Sequence, residues 1–205
     1  MSMTLLYGTG NTAKLNTMQE YIEGLDVKII GLNDINTKVP DIIENGDTPL
    51  ENARIKALAY YEATNMPVFS CDTGLYIKDD VPNGIQPGVN VRNVNGKYLN
   101  DDEMIIYYSN LAKKFGGQLT VQYINAICLI TSKGEIYEYM GEDISSEPFL
   151  IVSKPHNKRI QGFPLDSLSV EINTKKHYYD LDNTNKKYSN INIGFKNFFI
   201  NSLGI

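Results

Sequence analysis

Histidine and cysteine are scarce in this 205-residue chain, with two of each. Zinc sites and His-based catalytic triads draw on several placed imidazoles or thiolates. His156 and His177 argue against both and read as surface or loop residues. Cys71 and Cys128 lie far apart with no CxxC spacing, so they read as two reduced thiols rather than a disulfide. Cys71 on its own reads as an inert residue of a buried strand. Basic charge is also short: 19 Lys and Arg against 24 Asp and Glu give a net charge of -5. That excludes nucleic-acid binding driven by a basic field, while leaving room for a local pocket that takes a small phosphorylated ligand. No apolar run approaches the roughly 18 residues that a membrane helix needs. The first residues show neither a basic n-region nor a long apolar h-region. These absences place the chain in the cytoplasm, away from membranes. No repeat, low-complexity tract or linker breaks it, so residues 1–205 read as one domain.

What is present is an α/β pattern. Residues 4–31 read as strand, loop, helix and strand, with Leu15, Met18, Ile22 and Leu25 at helical spacing and Gly24 near the helix end. Thr48-Pro49-Leu50-Glu51 predicts a helix start: Thr48 as N-cap, Pro49 in the first turn and Glu51 closing a capping box. That helix runs to about Thr64 with Ala53, Ala57 and Leu58 buried. Pro67 to Cys71 predicts a buried strand ending at Asp72-Thr73-Gly74-Leu75. Residues 79–100 read as loop. Asp101 or Asp102 is the expected cap of a helix that carries Met104, Ile105, Tyr108, Leu111 and Phe115 and stops at Gly116-Gly117. Leu119–Thr131 and Glu135–Met140 form a predicted hairpin around Ser132-Lys133-Gly134. Two short strands flank the basic loop Lys154–Arg159 within residues 148–172. The stretch from Lys186 to Leu203 reads as a docking helix. Together these predict an α/β fold with a mixed β-sheet, flanking helices and two lobes around a central cleft.

The feature richest in chemistry is the loop Gly8-Thr9-Gly10-Asn11-Thr12-Ala13-Lys14 between the first strand and first helix. Small residues there let a phosphate approach the backbone. The helix start offers amide N–H groups, and Lys14 adds a positive charge. Gly8-x-Gly10-x-x-Ala13 fits a dinucleotide-binding fingerprint, with Asp34 as a late candidate for the ribose acid. That reading requires repeated βαβ units, whereas the second half of the chain is hairpin-like. A Walker loop is absent.

A second reading takes in later segments: Thr9-Gly10-Asn11 with Lys14, then Glu51-Asn52-Ala53-x-x-Lys56-Ala57, then Asp72-Thr73-Gly74-Leu75, then Pro87-Gly88 and Arg92. In this order they resemble the inosine triphosphate pyrophosphatase family, closely over residues 4–92 and more thinly beyond. The resemblance implies Mg²⁺-dependent hydrolysis of non-standard purine nucleoside triphosphates (ITP, dITP, XTP) to the monophosphate and pyrophosphate, which cleanses the nucleotide pool, usually in a homodimer. By the same resemblance Thr9, Gly10, Asn11, Thr12, Ala13 and Lys14 form the phosphate loop. Lys56 faces the same phosphates. Asp72 is the catalytic carboxylate and a metal ligand, and Thr73 helps to hold substrate. Glu44, ahead of Asp41, is the second carboxylate on the metal, and Cys71 stands where relatives often carry another acid. Gly162-Phe163-Pro164-Leu165-Asp166 is similar to a family G-F-G-[YW]-D segment, with Phe163 stacking on the base and Asp166 in the nucleotide pocket. Pro164 and Leu165 depart from it. Lys187 aligns with a family lysine, but Ile191-Asn192-Ile193 stands in place of the Ser-His-Arg triplet that reads the base. A nucleotide-binding protein of the same fold without turnover is the alternative that this departure raises.

Overall fold

Apolar strands of the first third build a parallel core. In the computed structural model, which describes residues 3–82, 84–181 and 190–205, β1 (Met3–Tyr7) lies between β2 (Val27–Gly31) and β3 (Val68–Ile77) and is parallel to both. Leu6 is in register with Ile30 on one side and Val68 on the other. The strands follow the order β2, β1, β3, β6 (Gln118–Ile130), β8 (Phe149–Val152), β9 (Ser169–Val170), and β7 (Ile136–Tyr139) also pairs with β6. β6 is antiparallel to both β7 and β8, and β8 is antiparallel to β9. The sheet is therefore mixed, with helices packed on it, as the element pattern predicts.

The chain divides into two compact units. Met1–Thr73, Ile124–Ser145 and Asn190–Ile205 make the first; Gly74–Tyr123 and Ser146–Ser189 make the second. In the first unit, α1 (Thr12–Tyr21) follows β1, and α2 (Pro49–Thr64) precedes β3. The start of α2 is as read from sequence. Thr48 Oγ1 accepts from the Glu51 amide at 3.2 Å, Glu51 reaches back to the Thr48 amide at 3.1 Å, and Pro49 opens the helix. Ala53 and Ala57 pack with Leu6, Val68, Ala126 and Cys128; Leu58 is only partly buried. α4 (Ile191–Leu203) buries Ile191, Phe195, Phe198 and Phe199. Phe199 meets Phe69 edge-on at 5.0 Å, and Phe69 stacks on Tyr7 at 4.5 Å. Gly194 is indispensable to this docking, because a Cβ there would stand 2.3 Å from the Asp143 carbonyl oxygen.

In the second unit, α3 (Asp101–Lys114) contributes Tyr108 and Leu111 to a core with Leu75, Leu119, Phe149, Leu165 and Leu168. Its cap is Asn100, whose Oδ1 accepts from the Glu103 amide at 2.9 Å, rather than Asp101 or Asp102. Asn100 closes a full capping box with Glu103, which neither aspartate can do from inside the helix. The stretch 79–100 also departs from a plain loop. β4 (Asn93–Val94) and β5 (Lys97–Tyr98) form a hairpin whose turn residues, Asn95 and Gly96, have φ of 52° and 78°.

Candidate active site

The loop after β1 is shaped by two glycines with different tasks. A Cβ on Gly8 would stand 2.2 Å from Ser70 Oγ and 2.5 Å from the Tyr60 ring, so this glycine is required by packing. A Cβ on Gly10 meets nothing within 4 Å. Thr9 Oγ1 accepts from the Asn11 amide at 3.1 Å. Asn11 is the N-cap of α1, and its Oδ1 accepts from the amides of Ala13 at 2.9 Å and Lys14 at 3.3 Å. A helix start leaves four amides without intrahelical partners, and Asn11 fills two of them. Thr12 is exposed and Ala13 and Lys14 are partly buried. Burial pushes the Lys14 ammonium below the usual lysine value, and the like charge of Lys56 adds to this against the pull of Asp72 and Glu44. Asp34, the ribose acid of the dinucleotide reading, accepts from the Gly31 amide at 2.7 Å.

The four groups Asn52, Lys56, Glu44 and Asp72 meet in one cluster. Asn52 and Lys56 are four residues apart on α2, hence on one face, and both are buried. Asp72 lies in β3, 9% exposed. Lys56 Nζ is 2.7 Å from Asp72 Oδ1 and 2.7 Å from Glu44 Oε2. Asn52 Nδ2 donates to the other Asp72 oxygen at 3.3 Å, while its Oδ1 accepts from the Gly46 amide at 2.8 Å. That last bond ties the segment carrying Glu44 to the first turn of α2. Asp41, the other acid considered, is exposed, as is Glu44, but it is Glu44 that reaches Lys56. Burial lowers the Lys56 pKa, but the charges of Asp72 and Glu44 outweigh it and hold the ammonium above the ordinary lysine value. Lys56 therefore engages both carboxylates directly, a pairing the sequence did not disclose. Asn52 was also missed as a site residue. Its signal is a polar side chain one helical turn before Lys56, on a face that otherwise carries alanines.

Strand β3 does not stop at Asp72 but continues to Ile77. Gly74 is a packing glycine within it: a Cβ there would lie 2.6 Å from the Tyr76 ring. Thr73 Oγ1 donates to Asn125 Oδ1 at 2.7 Å, and Asn125 Nδ2 donates to the Ile144 carbonyl at 2.7 Å. The Tyr7 hydroxyl is hydrogen-bonded to Cys71. Burial pushes the Cys71 thiol up to about 12, so it stays protonated, which fits an inert cysteine better than a nucleophile or ligand.

Phe163 and Asp166 belong to the second unit. Both are partly buried around a short 3-10 helix, Pro164–Leu168. The two departures there have structural reasons, since Pro164 opens this helix and Leu165 fills the core at 2% exposure. The Gly162 amide donates to Asp101 Oδ2 at 2.8 Å, and Asp101 Oδ1 takes Arg92 at 2.7 Å, so Arg92 anchors this segment through Asp101. Lys187 lies outside the described residues. Ile191 of the substituted triplet is buried at 3% exposure, as part of the helix that covers Phe69.

The Ham1 family pattern matches residues 5–188. Among curated proteins, the dITP/XTP pyrophosphatase of Symbiobacterium thermophilum is 29% identical over 139 residues, 67% of this chain and 66% of that protein. The dITP/XTP pyrophosphatase of Lactobacillus acidophilus is 36% identical over 103 residues, 49% of each chain. The chain thus aligns with between about half and two thirds of these two relatives' own lengths. The Ham1 protein of Staphylococcus aureus has the same fold, with a TM-score of 0.70 at 20% identity, covering 97% of this chain and 99% of that one. A Ham1 protein from Coxiella burnetii gives the same TM-score at 22% identity. With nearly the whole sequence inside the pattern and nearly the whole fold superposable on solved members, the chain belongs to the Ham1 family.

Proposed function

We propose that this protein hydrolyses non-standard purine nucleoside triphosphates (dITP, ITP and XTP) to the monophosphate and pyrophosphate. The observation that carries the reading is the cluster of Asp72, Lys56, Glu44 and Asn52, with Lys14 in its electrostatic field. Membership of the Ham1 family and the likeness to dITP/XTP pyrophosphatases support it. The triphosphate enters over the open face of Gly10 with its charge against Lys14. Asp72 sits at the reacting end. Its carboxylate keeps lone pairs beyond those given to Lys56 and Asn52, and it takes the proton of a water that attacks the α-phosphorus. The bond from that phosphorus to the bridging oxygen breaks, and pyrophosphate leaves. Positioning and charge neutralisation supply the rate, so no covalent nucleophile is needed.

The donor set suits Mg²⁺. Among the described residues no group of three or more His, Cys, Asp or Glu converges as for a metal. Mg²⁺ is commonly held by one or two carboxylates and completed by substrate phosphates and water. Glu44 and Asp72 are such a pair, already converging on one cationic atom. When bound, the cation neutralises charge on the phosphates. Thr73 and, in the second unit, Phe163 and Asp166 complete our substrate-binding set, together with Lys187. A homodimer in the cytoplasm remains part of the proposal; no helix among the described residues is long and apolar enough to cross a membrane.

A pyrophosphate-release assay with dITP, ITP, XTP and the four standard triphosphates in Mg²⁺ tests the reading. We expect turnover of the first three well above the rest. Nucleotide binding without turnover would instead establish the alternative, a binding protein of this fold. Its motivation is the triplet Ile191-Asn192-Ile193, which lacks the family's His and Arg, together with Cys71 where relatives often carry an acid.

A further inference from the structure

We propose that Lys56 is a resident counterion for Glu44 and Asp72, which the two carboxylates exchange for a divalent cation while the freed ammonium passes to the triphosphate. The inference rests on the triphosphatase reading above. Its basis is the position of one atom. Lys56 Nζ is 2.7 Å from an oxygen of each carboxylate, at the point where a cation shared by both must sit. The lysine and aspartate side chains are 10% and 12% exposed, so neither charge can be left to solvent. Two carboxylates brought together without a cation repel. The ammonium between them offsets that repulsion and holds both in place. Asn52 holds the second Asp72 oxygen and the Gly46 amide, so the frame persists when the ammonium moves.

Lys14 differs: among the described residues it forms no ion pair. The two lysines therefore have distinct states before substrate arrives, Lys14 available to phosphate and Lys56 already engaged. A divalent cation arriving alone must expel an ammonium that then has no acceptor. A triphosphate arriving alone finds Lys56 held by two carboxylates. Arriving together, each supplies what the other removes: carboxylates go to the cation and phosphate oxygens to Lys56. Cation and nucleotide thus bind with positive coupling, reciprocal by linkage, and the protein prefers the cation–nucleotide complex to either part.

The test measures Mn²⁺ binding to the full chain without nucleotide, by the electron paramagnetic resonance of free Mn²⁺, in wild type and Lys56→Met. With the competing ammonium gone, the variant should bind Mn²⁺ at least tenfold more tightly; equal or weaker binding overturns the exchange. A second measurement uses wild type alone and guards against a variant that fails to fold. Amine acylation read by mass spectrometry should find Lys56 protected in the metal-free protein and labelled in saturating Mn²⁺. Protection should return when Mn²⁺ is joined by an α,β-methylene triphosphate analogue. Labelling of Lys56 that ignores Mn²⁺ overturns the proposal. Absence of turnover in the pyrophosphate assay would remove the proposed activity and leave both of these readouts intact, so the two failures are separable.

Discussion

Substituting the two loop glycines separately should split scaffold from binding. For Gly8→Ala the new methyl would stand 2.2 Å from Ser70 Oγ and 2.5 and 2.8 Å from two carbons of the Tyr60 ring. Ser70 can relieve its part by turning a hydroxyl that has no partner among the described residues. The Tyr60 ring cannot, because it is 8% exposed and packed among Leu6, Ala57 and Val68. Moving the backbone instead would strain the Gly8 amide's bond to the Phe69 carbonyl, now 2.8 Å. Overpacking of this kind costs about 1–3 kcal/mol, a melting-point loss of about 2–12 °C for a chain of this size. Gly10→Ala meets nothing within 4 Å, and its φ is not in the left-handed region. It should be neutral or stabilise by up to about 1 kcal/mol through the unfolded chain. Yet a methyl at that open face stands where the phosphates are proposed to lie, so KM for dITP should rise about tenfold, a loss of about 1.4 kcal/mol of binding. Differential scanning calorimetry and steady-state kinetics on both variants give the answer. A Gly8→Ala protein that melts with wild type refutes the packing argument, and a Gly10→Ala enzyme with unchanged KM refutes the placement of the phosphates.

Three further outcomes follow from the same structure. Asp72→Asn should lower pyrophosphate release by about 10²–10⁴, the usual worth of a positioned base, with an unchanged circular dichroism spectrum; a full rate would remove Asp72 from its role. Thr48→Ala should lower the urea midpoint by an amount equivalent to about 0.5–2 kcal/mol, the typical value of a helix cap, without changing the slope; no shift would show that the capping box is idle. Asp101 bears on pH. Burial raises its pKa, but the Gly162 amide and Arg92 outweigh this and hold the carboxyl below its ordinary value. A depressed folded-state pKa stabilises above the unfolded value of about 3.9 and stops doing so as pH falls through the folded one. Asp101→Asn should therefore melt below wild type at pH 7, with the gap closing below about pH 4; a gap independent of pH would refute the assignment.

The start of α2 was legible because every signal was local: Thr48, Pro49 and Glu51 interact within one turn. The strand-to-loop break expected at Asp72 was misleading for the opposite reason. Gly74 looks like punctuation in sequence, but in space it is a strand residue with the Tyr76 ring across its face. The hairpin at Asn95-Gly96 was legible and passed over, since Asn-Gly between short β-prone pairs is a strong turn signal. For the site, the motif order selected Lys56 and Asp72, the resemblance offered Glu44 ahead of Asp41, and Lys56, Asp72 and Glu44 converge. What could not be read was the pairing itself. Whether Lys56 faces a phosphate or a carboxylate depends on where the segment through Glu44 folds, and that is fixed by Asn52 reaching the Gly46 amide. Asn11 follows the same logic: its side chain answers two amides of the helix start that sequence alone offered to the ligand.

The last helix has a consequence for how the protein is made. The unit bearing Lys14 and Asp72 is assembled from three separate stretches of chain, and its final piece is α4. Phe199 is the edge partner of Phe69, which in turn stacks on Tyr7 at the root of the loop Gly8–Lys14. On the ribosome, the strands carrying the site emerge long before the helix that covers their aromatic face. During that interval Phe69 and Tyr7 lack their lid, and the nascent chain holds its chemistry on an unfinished core. The core beneath the site is therefore finished only once α4 has docked on Phe69.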